Sequence, residues 1–487
     1  MPSLPGSGTE RRSEPSVVSQ EDLHINLNDV CGLAEVKQEI ADYIDYFQNR
    51  DLFIEMGCTL PKGLLFVGPP GTGKTLMAKA IAKESKCSFI NVEVSTLNEV
   101  YVGVGAARMK KIFDLARESK PCIIFMDEID TIGGRRNSTS NTENTSILNH
   151  LLTELDGFNV DDDIMVIAAT NREEFLDPAL LRSGRFDSKI QFDLPDKKER
   201  TDMFEYYVKR MKYVAKNIDF AKIARKTPSC SGADIRNIVN RAGILAIQRK
   251  HNSPITEDDI IWSIDRILIG AERKSLERIE SERTYIAHHE AGHALISYVL
   301  DVAESPIKVS TIPRAGGVLG YSQSDPKNRK LYHRDELYGD LLTLMGGRAA
   351  EEVMFDTHKM TTGASDDIQR ATAIVHSMFY QYSLGMKSRF LSYIDETGAV
   401  SHYLSDAEKD RTNEAIVAFQ NKLYTGVIRF LTYHKDSLQI LAKKLMETDT
   451  LEYDDIKRLL PRLENTMTVD DIIDATYVTN DFAVSKK

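Results

Sequence analysis

Long apolar runs are missing from this 487-residue chain: stretches such as Ala294 to Leu300 stop far short of the roughly 20 residues a helix needs to cross a bilayer. As written, the sequence predicts no membrane span. Cysteine is scarce as well. The five cysteines, at positions 31, 58, 87, 122 and 230, include no CxxC pair and all lie in the first half, which suits a reducing compartment and excludes a thiolate metal cluster. Any metal in the second half must therefore use His or carboxylate ligands. Basic tracts are absent, and 62 Lys plus Arg against 73 Asp plus Glu give a net charge of −11, so nucleic acid is not an expected partner. The first twenty residues are Ser/Pro-rich and lack the apolar centre of a secretory signal; they read as a flexible tail.

What is present is an ordinary globular balance, 42% hydrophobic and 28% charged, over a length that at roughly 100 to 200 residues per domain suggests about three folded units. From about 60 to 195, the runs GLLFV (63–67), SFINV (88–92), CIIFM (122–126), IMVIAAT (164–170) and KIQF (189–192) alternate with helical patterns. That alternation predicts a mostly parallel sheet with helices on both faces. Residues 200–270 switch to helical spacing, with Ser231 just ahead of Ile235, Ile238, Val239, Ala242, Ile244 and Leu245. The charged stretch 271–284 reads as a connector and 285–462 as largely helical. The expected division is thus 1–22 tail, 23–199 α/β, 200–270 small helical subdomain, 271–284 connector, 285–462 helical domain and 463–487 loosely held acidic tail.

Gly68, Pro69, Pro70, Gly71, Thr72, Gly73, Lys74 and Thr75 spell GxxxxGK[ST] between a predicted strand and a predicted helix. Such a loop turns backbone N–H groups onto phosphate oxygens at a helix N-terminus, with Lys74 on the β/γ-phosphates of ATP and Thr75 on Mg²⁺. The strand CIIFM ends in Asp127 and Glu128, where open α/β sheets bind ligands; Asp127 suits Mg²⁺ and Glu128 the attacking water. Asn171, ending the strand IMVIAAT, suits positioning of that water. In the second half His289, Glu290 and His293 form HExxH in a helical context. Residues four apart share a helix face, so both imidazoles reach one Zn²⁺ while Glu290 takes a proton from water. The metzincin continuation is excluded, because its Gly would fall at Ile296. Gly292, in mid-helix, is tolerable where another element approaches closely.

The order GPPGTGKT, IIFMDEID, ATN (169–171) and LLRSGRFD (180–187) resembles the AAA ATPases, ring machines that usually work as hexamers. The resemblance implies that Arg182 and Arg185 act as arginine fingers in a neighbour's nucleotide site, although Ser183 stands where the family commonly has Pro. It also implies that SGADI (231–235) belongs to the lid, and that Tyr101, in the glycine-bearing loop 99–105, grips polypeptide in a central pore. With HExxH, the chain over roughly 24–462 resembles the FtsH family of AAA metalloproteases. Its TGAS-x-D motif makes Asp367 the implied third zinc ligand, with Asp366 as the fallback; first-turn capping would favour acids there too. The segment 312–321 resembles the stretch before an edge strand that lays substrate across the zinc, and MGGRAAEE (345–352) a family helix, both read as structural.

The resemblance implies an α/β P-loop ATPase domain with a helical lid, followed by a mainly helical zinc metalloprotease domain: an ATP-dependent zinc endopeptidase working as a homohexamer on unfolded or membrane polypeptides. VCG (30–32), EVYVGVGA (99–106), IGGRRN (132–137) and LLTELDGF (151–158) look most like the mitochondrial i-AAA branch at the inner membrane. Family members normally carry membrane helices ahead of the ATPase, which this chain as written lacks. The rival readings are an unfoldase or chaperone with an inactive protease scaffold, and a nucleic-acid motor on the same P-loop core.

Overall fold

The computed structural model of the chain describes residues 17–474, apart from 59–61, 98–103, 134–141, 158–162, 250–252, 274–278, 316, 318, 326–330, 386–391, 395–399 and 401–403. It divides into two compact units, Met1–Ser263 and Ile264–Lys487. In the first, strands β1 (Val17–Val18), β2 (Gly63–Val67), β3 (Ser88–Glu93), β4 (Cys122–Asp127), β5 (Ile164–Thr170) and β6 (Ser188–Gln191) form one sheet in the order β1-β3-β4-β5-β2-β6. All neighbours are parallel except β1, which pairs antiparallel with β3. Helices α1 (Ala34–Gln48), α2 (Arg50–Glu55), α3 (Lys74–Glu84), α4 (Val104–Glu118) and α5 (Thr142–Gly157) connect these strands.

The inner strands read as unbroken apolar runs because both sheet faces are covered. Leu65, Val67, Ile124, Met126 and Val166 face one layer with Phe113 of α4 and Ile147 of α5, while Leu64, Phe66, Phe125 and Ile167 face another with Ile40 of α1 and Ile81 of α3. Each such side chain contributes about 1.5–3 kcal/mol by leaving water. The unit continues through α6 (Lys197–Lys209), α7 (Phe220–Arg225), α8 (Gly232–Arg249) and α9 (Glu257–Leu268). Helix α8 buries Ile235, Ile238, Val239 and Ala242, but Ile244 is exposed.

In the second unit, α10 (Glu280–Val299) lies at the centre, buried on all sides from Ala287 to Val299. It packs on α11 (Arg334–Phe355) and α14 (Lys435–Thr448); α12 (Ser365–His376) and α13 (Asp406–Tyr433) pack on α11, α15 (Tyr453–Leu459) on α14, and α16 (Val469–Asp474) on α13. Strands β7 (Pro306–Ser310), β8 (Tyr321–Ser324) and β9 (Thr450–Glu452) form an antiparallel sheet in the order β8-β7-β9, so β8 is an edge. Gly292 is where α10 and α11 touch: an added Cβ would stand 2.3 Å from the Gly346 carbonyl oxygen. The expected close approach at that glycine is therefore found.

Four sequence expectations need correction. The N-terminal tail is shorter than 1–22, because Val17 and Val18 extend the sheet along Ile90 and Phe89. Gly105 is not in a loop but in the first turn of α4, where its bare Cα admits Ile147 and the Leu97 carbonyl. The unit boundary falls inside α9, ahead of residue 270, since Asp265 accepts hydrogen bonds from Lys308 and Arg314; α10 also begins at Glu280, within the expected connector. Finally, 463–474 is not loosely held: Thr468 and Asp471 cap α16, and Val469, Ile472 and Ile473 are buried in the core.

Candidate functional site

The phosphate loop leaves the end of β2 and enters α3. Gly71 and Gly73 have φ of +77° and +101°, a region open to glycine, and a Cβ at Gly71 would stand 2.5 Å from Ser231 Oγ. The loop also meets the first turn of α8, where Ala233 N–H donates to the Gly71 carbonyl at 3.1 Å. Lys74 is buried, which lowers its pKa, and its ammonium donates to the carbonyls of Gly68 and Pro69 and to Asn171 Oδ1 at 2.7, 2.9 and 2.8 Å. Thr75 Oγ1 donates to Asp127 Oδ2 at 3.0 Å. Two oxygens about 3.0 Å apart match adjacent ligands of an octahedral cation with bonds of about 2.1 Å, so the pair fits Mg²⁺. Glu128, beside them, is exposed and held at φ +55°, a left-handed conformation that costs a non-glycine residue about 1–2 kcal/mol. Strain of that kind is tolerated where a side chain must be aimed.

The second set is largely buried, with Asp367 only partly so. His289 and His293 project from one face of α10, and Asp367 comes from the first turn of α12. Their ligand atoms form a nearly equilateral triangle: 3.1 Å between the two Nε2 atoms, and 3.2 Å from each to Asp367 Oδ2. A cation bonded at about 2.0–2.1 Å to all three would subtend angles near 100°, which fits four-coordinate Zn²⁺ with one open position. The far ring nitrogens are engaged: His289 Nδ1–H donates to Glu351 Oε1 and His293 Nδ1–H to the Thr343 carbonyl, each at 2.7 Å. That fixes the tautomer with both Nε2 lone pairs inward. Glu351 is itself held by Thr361, through its N–H and hydroxyl.

The electrostatics favour a cation in the triangle. Burial opposes charge on His289, yet hydrogen bonds with Asp367 and Glu351 outweigh it and push its pKa up to about 9. Burial would raise Asp367, but its bonds with His289 and His293 hold it far below the usual carboxylate range. Glu290 is 6% exposed, and burial raises its pKa. Space around the set is tight: a Cβ on Gly347 would stand 2.4 and 2.5 Å from the Nε2 atoms of His293 and His289, and one on Gly320 2.7 Å from Glu290 Oε1.

The structure thus brings together every expected residue of the phosphate site (68–75, Asp127, Glu128, Asn171) and of the metal site (His289, Glu290, His293, Asp367). The fallback Asp366 is exposed and points to no cluster among the described residues. Arg182 is exposed. Arg185 is half-buried and engaged within the chain, by Asp156 at 2.8 Å through two nitrogens and by the Ala179 carbonyl. Nearby Asp187 accepts the Gly184 N–H instead. Tyr101 and Phe158 lie outside the described residues. Sequence reading missed Glu351 and Gly347, which it took as structural, and Asp130, which accepts the Thr170 hydroxyl at 2.9 Å and so fixes the strand end beside Asn171. The five cysteines are free, and burial pushes Cys87, Cys122 and Cys230 up to about 12, leaving them inert thiols.

A phosphate loop on a parallel sheet and a His–His–Asp triangle on helices define the class: a P-loop ATPase domain joined to a zinc-peptidase domain. Family profiles agree, with AAA (ATPase family associated with various cellular activities) over residues 64–194, the AAA+ lid domain over 217–262 and peptidase family M41 over 277–459. Among curated relatives, ATP-dependent zinc metalloprotease FtsH 2 of Sphaerobacter thermophilus is 39% identical over 463 residues, 94% of this chain and 70% of the relative. ATP-dependent zinc metalloprotease FtsH of Parabacteroides distasonis is 38% identical over 445 residues, 90% of this chain. The chain spans 64% of that relative's length. It belongs to the FtsH family of AAA zinc metalloproteases. Among the described residues no helix is long and apolar enough to cross a membrane.

Proposed function

We propose that this chain is an ATP-dependent zinc endopeptidase that unfolds, translocates and degrades polypeptides. The observation that carries it is the triangle of buried His289 and His293 with partly buried Asp367, and buried Glu290 beside it, in a chain that also holds a complete phosphate loop. A protease half kept only as a scaffold has no use for that set. Zinc held by the triangle would supply Lewis acidity to a peptide carbonyl and to water. Glu290 takes the proton of the attacking water on its carboxylate and delivers it to the leaving amine nitrogen; its raised pKa suits it to both transfers. The edge strand β8 offers backbone hydrogen bonds to an extended chain, which binds sequence-diverse substrates through groups every peptide has.

In the ATPase unit, Lys74 would exchange its loop carbonyls for phosphate oxygens, Thr75 and Asp127 would hold Mg²⁺, Glu128 would aim the water, and Asn171 would keep it in line. In the homohexamer that we read from the family, Arg182 reaches a neighbour's phosphates, and Arg185 does so once its pair with Asp156 opens. Turnover moves the Tyr101 loops along the unfolded substrate. The finer reading, a mitochondrial i-AAA protein at the inner membrane, is carried by the segments at 30–32, 99–106, 132–137 and 151–158 alone; the bacterial relatives lend it no support.

The test pairs Glu128→Gln with Glu290→Gln and follows an unfolded protein. Glu128→Gln loses ATP turnover and processive degradation. Glu290→Gln keeps ATP turnover and bound zinc while cleavage falls about 10²–10⁴-fold. Undiminished cleavage by Glu290→Gln refutes the assigned base.

A further inference from the structure

Strand β8 has four residues and pairs in its sheet with β7 alone. What precedes it is anchored at two places. Gly320 lies on α10, where an added Cβ would stand 2.7 Å from Glu290 Oε1 and 2.8 Å from Ile286 Cγ2. Earlier, residues 313–315 run antiparallel to 271–273: Arg273 N–H donates to the Pro313 carbonyl at 3.0 Å and Ala315 N–H to the Ala271 carbonyl at 2.8 Å. A buried ion group closes this pairing. Asp265, in the last turn of α9, accepts at Oδ2 from Lys308 Nζ of β7 at 2.5 Å and from Arg314 Nη2 at 3.2 Å. The Arg314 side chain is 2% exposed; its Nη1 donates to the Gly270 carbonyl at 3.3 Å, and its guanidinium lies 6.0 Å from the ring centroid of Tyr321, the first residue of β8. One cation thus touches α9, the segment after it and the start of the edge strand. Such a group is a poor source of stability, since apolar side chains of similar volume often do as well; what it adds is a fixed geometry.

We propose that Asp265 is a positioning residue of the peptidase site: through Arg314 it sets where β8 lies, and so where an extended substrate lies over the metal triangle. The proposal rests on the metallopeptidase reading and goes beyond it, because it places the end of α9 and residues 270–273, read from the sequence as lid and connector, in the framework that binds substrate. With Asp265 neutral, the buried cations Lys308 and Arg314 would repel each other, and Arg314 would turn toward Glu272, already 4.0 Å away. Residues 313–315 would move with it and β8 would shift. Substrate and transition state use the strand's hydrogen bonds alike, so the loss falls on binding more than on turnover.

The experiment uses the full chain with zinc and ATP on quenched peptides taken from casein and too short to need unfolding. Asp265→Asn should raise KM about tenfold with kcat held within about twofold, and zinc content and ATP turnover should not change. Arg314→Lys keeps a charge for Asp265 but gives up the arm on Gly270, and should raise KM about threefold; it carries the test if Asp265→Asn does not fold. KM does not depend on the folded fraction, so a loss of stability alone lowers kcat per chain and leaves KM where it was. An unchanged KM in the folded variants overturns the assignment and leaves the peptidase reading standing. No cleavage of any of these peptides by the unsubstituted chain with zinc bound overturns both.

Discussion

The phosphate site and the metal site are built from opposite materials. The first is mostly loop: its phosphate ligands are backbone groups freed by glycines at positive φ, and its acids Asp127 and Glu128 sit at an open strand end. The second is mostly helix, with His289, Glu290 and His293 each under 10% exposed and all hydrogen-bonded or packed from behind. The contrast follows from what each must do. A nucleotide site admits, changes and releases its ligand in every cycle, and takes cations from a neighbour if Arg182 and Arg185 act as we propose. The three residues that would hold a metal ion come from one chain, so rigidity serves them.

That contrast can be broken at its tightest point. Gly347→Ala puts a methyl where the two imidazoles meet the metal, and zinc affinity should fall at least about a hundredfold, measured by metal content after dialysis, while ATP turnover persists. Retained zinc would show that α11 gives way and that the centre is not rigid. Glu351→Ala should weaken zinc binding about a hundredfold and Glu351→Gln about tenfold, because glutamine keeps an acceptor for His289 but not the charge. Equal losses would remove the electrostatic part of that argument.

The phosphate site should respond more softly. Asp130→Asn loosens Thr170 beside Asn171 and should slow ATP turnover roughly fivefold, equivalent to about 1 kcal/mol of positioning, with zinc content unchanged. Smallest is Asp156→Asn. The Arg185 hydrogen bonds lower the Asp156 pKa, so the pair stabilises the fold above the unfolded carboxylate value of about 3.9 and loses that contribution as pH falls through the lower folded value. Asp156 is largely exposed, so wild type should exceed the variant by only about 0.5 kcal/mol at pH 7, and by nothing once pH is below the folded value, as read by urea unfolding. A difference that persists in acid would mean the side chain acts by packing.

The parts legible in the sequence were those with local spacing. GxxxxGKT between a strand and a helix, and HExxH at one helical turn, each fix chemistry within eight residues. Asp367 is 74 positions beyond His293 and came only through family resemblance; no periodicity links them. Glu351 and Gly347 matter because α11 crosses α10 at Gly292, a contact that exists only after folding. The tail was misjudged for a different reason. In TVDDIID the apolar set is three residues, too short for a convincing period, but Thr468 with Asp471 is a capping pair that would have marked a helix start. Likewise Val17 and Val18 are too few to announce a strand without the partner edge they lie on.

One detail of the phosphate loop bears on how the motor resets. The ammonium of Lys74 has three neutral oxygens within reach from Gly68, Pro69 and Asn171, so departure of spent nucleotide does not strand a positive charge in a buried place. In the function we propose, phosphate arriving at the loop would draw Lys74 from these oxygens and so free Asn171, at the end of the adjoining strand. Arrival of fuel would thereby be registered at the tip of β5 before any bond is broken.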